Sequence, residues 1–154
     1  MTDLKPVIFK LNGEIYGIDI TLVNGIEKEQ HIVSVPNAPE YIKGIINLRG
    51  TIVPVYNLAR KFNVLDISPT DSQLIITKIG EMLLAVEVEG VEEISDIPVS
   101  AISEVPKIIR GAKTSYIKEI AKVEKELLII LDVDSLLTEE EQKDVEEFVN
   151  QQNE

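Results

Sequence analysis

From Val7 to Ile20 the chain reads VIFKLNGEIYGIDI, two apolar, β-branched runs separated by Asn12-Gly13. That pattern predicts a β-hairpin, because Asn and Gly accept the positive φ angles of a type I′ turn. Leu74–Val88 repeats it, with LIITKI and MLLAVEV on either side of Gly80-Glu81. Laying Gly13-Glu14 on Gly80-Glu81 brings Gly17-Ile18-Asp19-Ile20 against Ala85-Val86-Glu87-Val88, with one residue inserted. Further on, Val53-Pro54-Val55-Tyr56-Asn57-Leu58 aligns with Leu131-Asp132-Val133-Asp134-Ser135-Leu136 as a strand running into a helix start, with Asn57 and Ser135 as N-caps. One domain over 1–154 is expected, built of two related β subdomains at roughly 14–70 and 71–137 that share an N-terminal strand. The alternative is a chance likeness of two strand–turn–strand units.

Between these landmarks, apolar segments recur at Gly44–Leu48, Thr51–Tyr56, Val91–Ile97, Tyr116–Val123 and Leu127–Val133. Many short strands with Gly and Pro punctuation predict a mainly β fold, a barrel or sandwich, rather than alternating βα units. Pro54 places its strand at an edge or a bulge, since proline cannot donate to a ladder. Thr21–Lys28 reads as a short helix presenting Leu22, Val23 and Ile26, weakened by Gly25. A second helix is expected over 138–152, where Thr138 and Glu141 form a capping box ahead of Val145, Phe148 and Val149 at helical spacing. From Glu139 onward seven acids face one lysine. They read as the solvated face of a terminal helix, its first turn favourably acidic, or alternatively as an acidic interaction tail.

Composition narrows the function classes. With 154 residues, 44% hydrophobic and 27% charged, the chain can bury a core of its own and is not disordered. A net charge of −12 opposes phosphate backbones and anionic membrane surfaces, which puts a nucleic-acid binder in third place. There is no cysteine, so thiol nucleophiles, thiolate metal sites and disulfides are excluded. The start, Met1 to Pro6, lacks a basic region followed by an apolar stretch, and an unprocessed, soluble, cytoplasmic protein is expected.

His31 is the only histidine, in a segment, Gln30-His31-Ile32-Val33, that reads as the start of a strand. Asp132-Val133-Asp134 resembles the opening of a calcium loop, yet Leu136 and Leu137 stand where that loop needs an oxygen ligand and a glycine. Phosphate-cradle, dinucleotide, nucleophile-elbow and zinc-protease motifs do not occur. No catalytic residue, cofactor or metal is therefore assigned. A small carboxylate-metal enzyme using Asp132 and Asp134 is kept as the alternative from that class, and an SH3-like peptide-binding module as the alternative among binding proteins.

The stretch Val33–Leu58, VSVPNAPEYIKGIINLRGTIVPVYNL, sets the polar Asn47-Leu48-Arg49-Gly50 between two strongly apolar segments. Pro36 and Pro39 stiffen the approach, Gly44 permits a close backbone contact, and Gly50 lets the chain reverse while Arg49 projects outward. Arg49 is one of three arginines, and its planar fork suits a partner's carboxylate or backbone carbonyls. An arginine kept for solubility is the plainer reading.

YGIDI at Tyr16–Ile20, followed by VPNAPEYIKGIINLRGTIVPVYNL from Val35 to Leu58 and by the hairpin at Leu74–Val88 with Gly90-Val91, resembles the CheW-like chemotaxis coupling proteins over roughly Val7 to Leu137. The resemblance implies two intertwined five-stranded SH3-like β-barrels and a non-enzymatic adaptor. Its partners would be the cytoplasmic tips of chemoreceptors and the regulatory domain of the chemotaxis histidine kinase, itself similar to the coupler; 154 residues favour the stand-alone coupler. By the same resemblance the receptor-facing groove would include Val23, Ile26, Asn47 and Arg49, with Gly44 and Gly50 shaping the turn. Kinase-facing residues are not named by it. Where the family often has an acid before the isoleucine, this chain has Gly25 before Ile26. A monomer is expected when free, entering a larger array through protein contacts.

Overall fold

A computed structural model of the chain describes residues 3–28, 31–64, 67, 71–107 and 115–153. Eleven strands lie among them: β1 Pro6–Leu11, β2 Glu14–Asp19, β3 Val23–Lys28, β4 Ile42–Leu48, β5 Thr51–Asn57, β6 Gln73–Ile79, β7 Met82–Val88, β8 Gly90–Ile94, β9 Ile102–Ser103, β10 Ile117–Val123 and β11 Glu126–Leu131. A four-residue helix, α1, spans Leu58–Lys61, and α2 spans Glu139–Asn153. The strands form two sheets, in the orders β8-β1-β2-β11-β10-β9 and β3-β6-β7-β5-β4.

Each sheet combines a hairpin from one part of the chain with one from another through a short parallel ladder. Ile15–Gly17 of β2 pairs with Leu128–Ile130 of β11, and Val55–Asn57 of β5 with Ala85–Glu87 of β7. After β3 the chain returns to bridge Val33 with Ile45 of β4, and after β8 it returns as β9 against Ile120 and Ala121 of β10. Both sheets thus curl into small barrels of SH3-like shape, the second with the expected five strands and the first with six. Their membership does not follow a division at 14–70 and 71–137, because one barrel takes residues 6–19 with 90–131 and the other 23–88.

Strand periodicity explains the unbroken apolar runs. In β1, Val7, Phe9 and Leu11 face a core shared by both barrels, while Ile8 faces the interior of its own. In β7, Leu84, Val86 and Val88 join the shared core and Ala85 the interior of the second barrel. A strand covered on both faces is apolar along most of its length, as in buried parallel sheets, with Lys10 of β1 and Glu87 of β7 as the exceptions.

The turns carry the expected geometry. Asn12 and Gly13 have φ of 53° and 80°, the two positive values of a type I′ turn, while in the second hairpin only Gly80 is positive, at 61°. Asn57 caps α1 by accepting a hydrogen bond from the Arg60 N–H at 3.1 Å. At α2, Thr138 Oγ1 accepts from the Glu141 N–H and Glu141 Oε1 from the Thr138 N–H, each at 3.0 Å, which is the reciprocal capping box. The apolar face of α2 packs Val145, Phe148 and Val149 on the shared core. Just ahead of it, the buried Tyr56 hydroxyl donates to the Leu136 carbonyl at 3.1 Å.

Four local expectations are corrected. Thr21–Lys28 is not a helix: Ile20–Leu22 forms one 3₁₀ turn capped by Asp19, and β3 follows, antiparallel to β6. The β-branched Val23 and Ile26 suit a strand, and the ladder to β6 supplies hydrogen bonds that a short glycine-containing helix could not better. Of the segment Gln30–Val33, Gln30 lies outside the described residues, and Val33 makes an isolated bridge rather than starting a strand. Pro54 is in an internal strand, yet opposite Ile45, whose N–H and C=O both bond to Val33, and one residue before the ladder to β7 begins. No ladder donor is required of it there. Ser135 is not an N-cap: Asp132 is, its Oδ1 accepting from the Asp134 N–H and its Oδ2 from the Ser135 hydroxyl. Asn57 and Asp132 also donate their N–H groups to the carbonyls of Tyr41 and Tyr116, so they are the equivalent pair, and the sequence alignment of Val53–Leu58 on Leu131–Leu136 is three residues out of step.

One buried charge ties the second barrel together. Glu87 is only 1% exposed, and its carboxylate accepts from Lys43 Nζ at 2.9 and 3.2 Å and from the Ser72 hydroxyl at 2.9 Å. It thereby links β7 to β4 across β5, with each partner's polar atoms used.

Burial raises the ionisation of Tyr16, Tyr56 and Tyr116 above their ordinary value of 10.0. A raised folded value means that the fold favours the neutral phenol. The associated stability is complete below the unfolded value and is lost as pH climbs through the folded ones. Far-ultraviolet ellipticity followed against tyrosinate absorbance should stay native to about pH 10. Above it, unfolding and ionisation should rise together; free ionisation of Tyr16, Tyr56 and Tyr116 in a fully folded protein would contradict this burial.

Candidate functional site

The polar turn between β4 and β5 is an exposed stretch of left-handed backbone in the second barrel. Leu48 pairs with Thr51, leaving Arg49 and Gly50 as a two-residue loop with φ of 52° and 89°. Both values are positive, so this is the type I′ pattern that favours Asn-Gly or Gly-Gly. Asn47 secures it, its Oδ1 accepting from the Gly50 N–H at 2.8 Å. An arginine in the left-handed region costs about 1–2 kcal/mol relative to right-handed backbone. Its side chain is 86% exposed, and its ion pair, to Glu27 Oε1 at 3.6 Å, is too solvated to offset that cost.

Gly44 has a different reason. A Cβ built there would collide with the carbonyl oxygen of Val33 and crowd Ile32, because Val33 crosses directly over β4 to close the barrel. Gly25, by contrast, has open space around it and no positive φ, so the position accepts a side chain without steric cost.

The structure therefore gathers Gly44, Asn47, Arg49 and Gly50 on one hairpin and joins it to β3 through the Arg49–Glu27 pair. Ile26, next to Glu27, is 38% exposed, one of few large apolar side chains so placed among the described residues. Val23 lies at the other end of β3, about 13 Å from Glu27 at the usual strand rise. There it packs half-buried on the shared core. Two features escape a reading of the sequence. Glu27 meets Arg49 only because the sheet's two edge strands, β3 and β4, curl together. The other is an aromatic file between the barrels: Phe9, Tyr16, Phe62 and Tyr116 follow one another with ring centroids 5.8, 5.1 and 5.2 Å apart. Lys61 Nζ sits 5.0 Å from the Tyr41 ring and 5.8 Å from Tyr116, within cation–π range of both. Five contacts of this kind cannot be inferred from residues spread over 9–116.

The Asp132 carboxylate is used in capping, His31 is exposed, and no group of three or more metal-ligating side chains occurs among the described residues. The class of structure is thus a pair of fused SH3-like barrels with exposed turns and an aromatic file between them.

Comparison with known proteins names the family. A family model for the CheW-like domain matches residues 5–141. The chemotaxis protein CheW of Klebsiella aerogenes is 32% identical over 88% of this chain and 82% of its own length. That of Bacillus subtilis is 32% identical over 90% of each. Among solved structures, the scaffolding protein TtCheW from Thermoanaerobacter tengcongensis is similar with a TM-score of 0.79 and 35% identity, covering 89% of this chain and 93% of that one. The chain belongs to the CheW-like family and is a non-enzymatic chemotaxis scaffold.

Gly44→Ala should destabilise the fold by about 1–3 kcal/mol, the usual cost of overpacking a filled site; chemical denaturation measures it, and an unchanged midpoint would mean that Val33 does not close the barrel. Arg49→Asn should act in the opposite direction, stabilising by about 0.5–1 kcal/mol as the turn gains a residue suited to positive φ. A loss of stability in that variant would show that Arg49 is kept for the fold.

Proposed function

We propose that the protein is a cytoplasmic adaptor that holds chemoreceptor tips against the regulatory domain of the chemotaxis histidine kinase, and that its receptor-facing surface includes Val23, Ile26, Asn47 and Arg49, with Gly44 and Gly50 setting the turn. The observation that carries the reading is Arg49 itself. It occupies a backbone position better suited to asparagine or glycine, extends almost wholly into solvent, and returns little stability through Glu27. Strain of this sort persists where the side chain is wanted for a contact, and a guanidinium fork is well made for carboxylates or for the free carbonyls at a helix end. Ile26 adds an exposed apolar side chain on β3, on the strand face opposite to Glu27, and exposed apolar surface suits the amphipathic face of a helical hairpin. No helix among the described residues is long and apolar enough to cross a membrane, consistent with recruitment through protein contacts.

Kinase-facing residues are not assigned. The two barrels leave room for separate surfaces, and a variant that loses one partner while keeping the other tests that separation. Arg49→Glu should weaken binding of a receptor-tip fragment by roughly tenfold or more, about 1.4 kcal/mol, as expected for an arginine anchor, while a kinase regulatory domain remains bound. Affinity for the receptor fragment unchanged in a folded Arg49→Glu protein would remove Arg49 from the interface. Failure of the wild type to retain either partner would overturn the adaptor reading.

A further inference from the structure

Glu27 is three-quarters covered, and among the described residues its one ion pair is to Arg49, at a separation longer than a hydrogen bond. It approaches from β3, one edge of the sheet, while Arg49 sits at the tip of the hairpin that ends β4, the other edge. Strand pairing, Glu27 opposite Leu74, fixes the Glu27 backbone and its side chain is three-quarters covered, whereas the guanidinium is on a flexible stem that is 86% exposed. The arginine, the more solvated of the two, is the freer to move. Any acceptor that a partner brings to Arg49 therefore competes with a carboxylate already in place.

We infer that Glu27 is a built-in competitor for Arg49, holding its side chain in the free protein and exchanging with the partner's acceptor on binding. The choice of partner rests on the adaptor reading above; the hold on the free side chain does not. A contact this solvated holds weakly, so the exchange is easy. It also means that Glu27 lowers affinity rather than supplying it, and that a partner carboxylate meets a like charge beside its target. Glu27 thus sets how tightly, and for which acceptors, the arginine site closes.

Two measurements test this. In calorimetry with a receptor-tip fragment at low salt, Glu27→Gln should bind about two- to fivefold more tightly than wild type, the range that exposed ion pairs support. The gain should vanish in an Arg49→Gln background. Unchanged or weaker binding, or a gain that survives without Arg49, would overturn the inference. Independently of any partner, ¹⁵N relaxation of the Arg49 Nε–Hε group in the free protein should show greater mobility in Glu27→Gln than in wild type. Equal mobility would overturn the hold on the free side chain. Should the wild type bind no receptor fragment, the adaptor reading falls while the relaxation result still decides whether Glu27 restrains Arg49.

Discussion

The structure depends on two hairpins being covered on both faces. β1–β2 and β6–β7 each send alternate side chains into the interior of a barrel and the intervening ones into the core that the barrels share. With strand side chains alternating strictly, register cannot slip by one residue without exchanging the two cores. Every other element is placed by that fixed pair. The parallel ladders attach β11 and β5 to the hairpins, α1 starts where β5 leaves its ladder, and α2 lies over the shared core through Val145, Phe148 and Val149. The barrels are therefore not two domains in contact but one packing unit with three cores.

That arrangement explains what could be read along the chain and what could not. Local chemistry was legible: Asn12-Gly13 as a turn, Asn57 as a cap and the Thr138–Glu141 box, all decided by residues a few positions apart. Matching CheW-like residues also anticipated the paired barrels. Misread were the features settled by distant partners. β3 looks helical by spacing until β6 offers it a ladder; Pro54 looks like an edge residue until Val33 occupies both backbone groups of the residue opposite. Sheet membership was beyond reach, since strands of closely similar pattern can pair within their own half or across to the other.

The candidate site shows the same division. Gly44, Asn47 and Gly50 carry backbone duties that their residue types announce, namely a close crossing, a turn clasp and a positive φ. Arg49 announces nothing of the kind, and its meaning comes from the mismatch between residue and conformation. Glu27 could be found only once the barrel had closed, because its partner lies across a seam rather than across a ladder. Gly25 proves neutral in space, so the absence of an acid there is a matter of surface chemistry and not of packing.

Interleaving also orders events during synthesis. The barrel built from residues 23–88 has all its strands once β8 begins to emerge, whereas the other needs residues 6–19 together with 90–131. The β1–β2 hairpin, made before the middle barrel, is thus the one that must wait longest for its strand neighbours, with apolar side chains on both faces meanwhile. Chains of this connectivity close slowly, since distant pairing must precede its reward, and exposed strands are open to wrong partners in the interval. The barrel formed from the middle of the chain offers β1–β2 an interim refuge, a half-built shared core to lie against until the remainder of the polypeptide arrives.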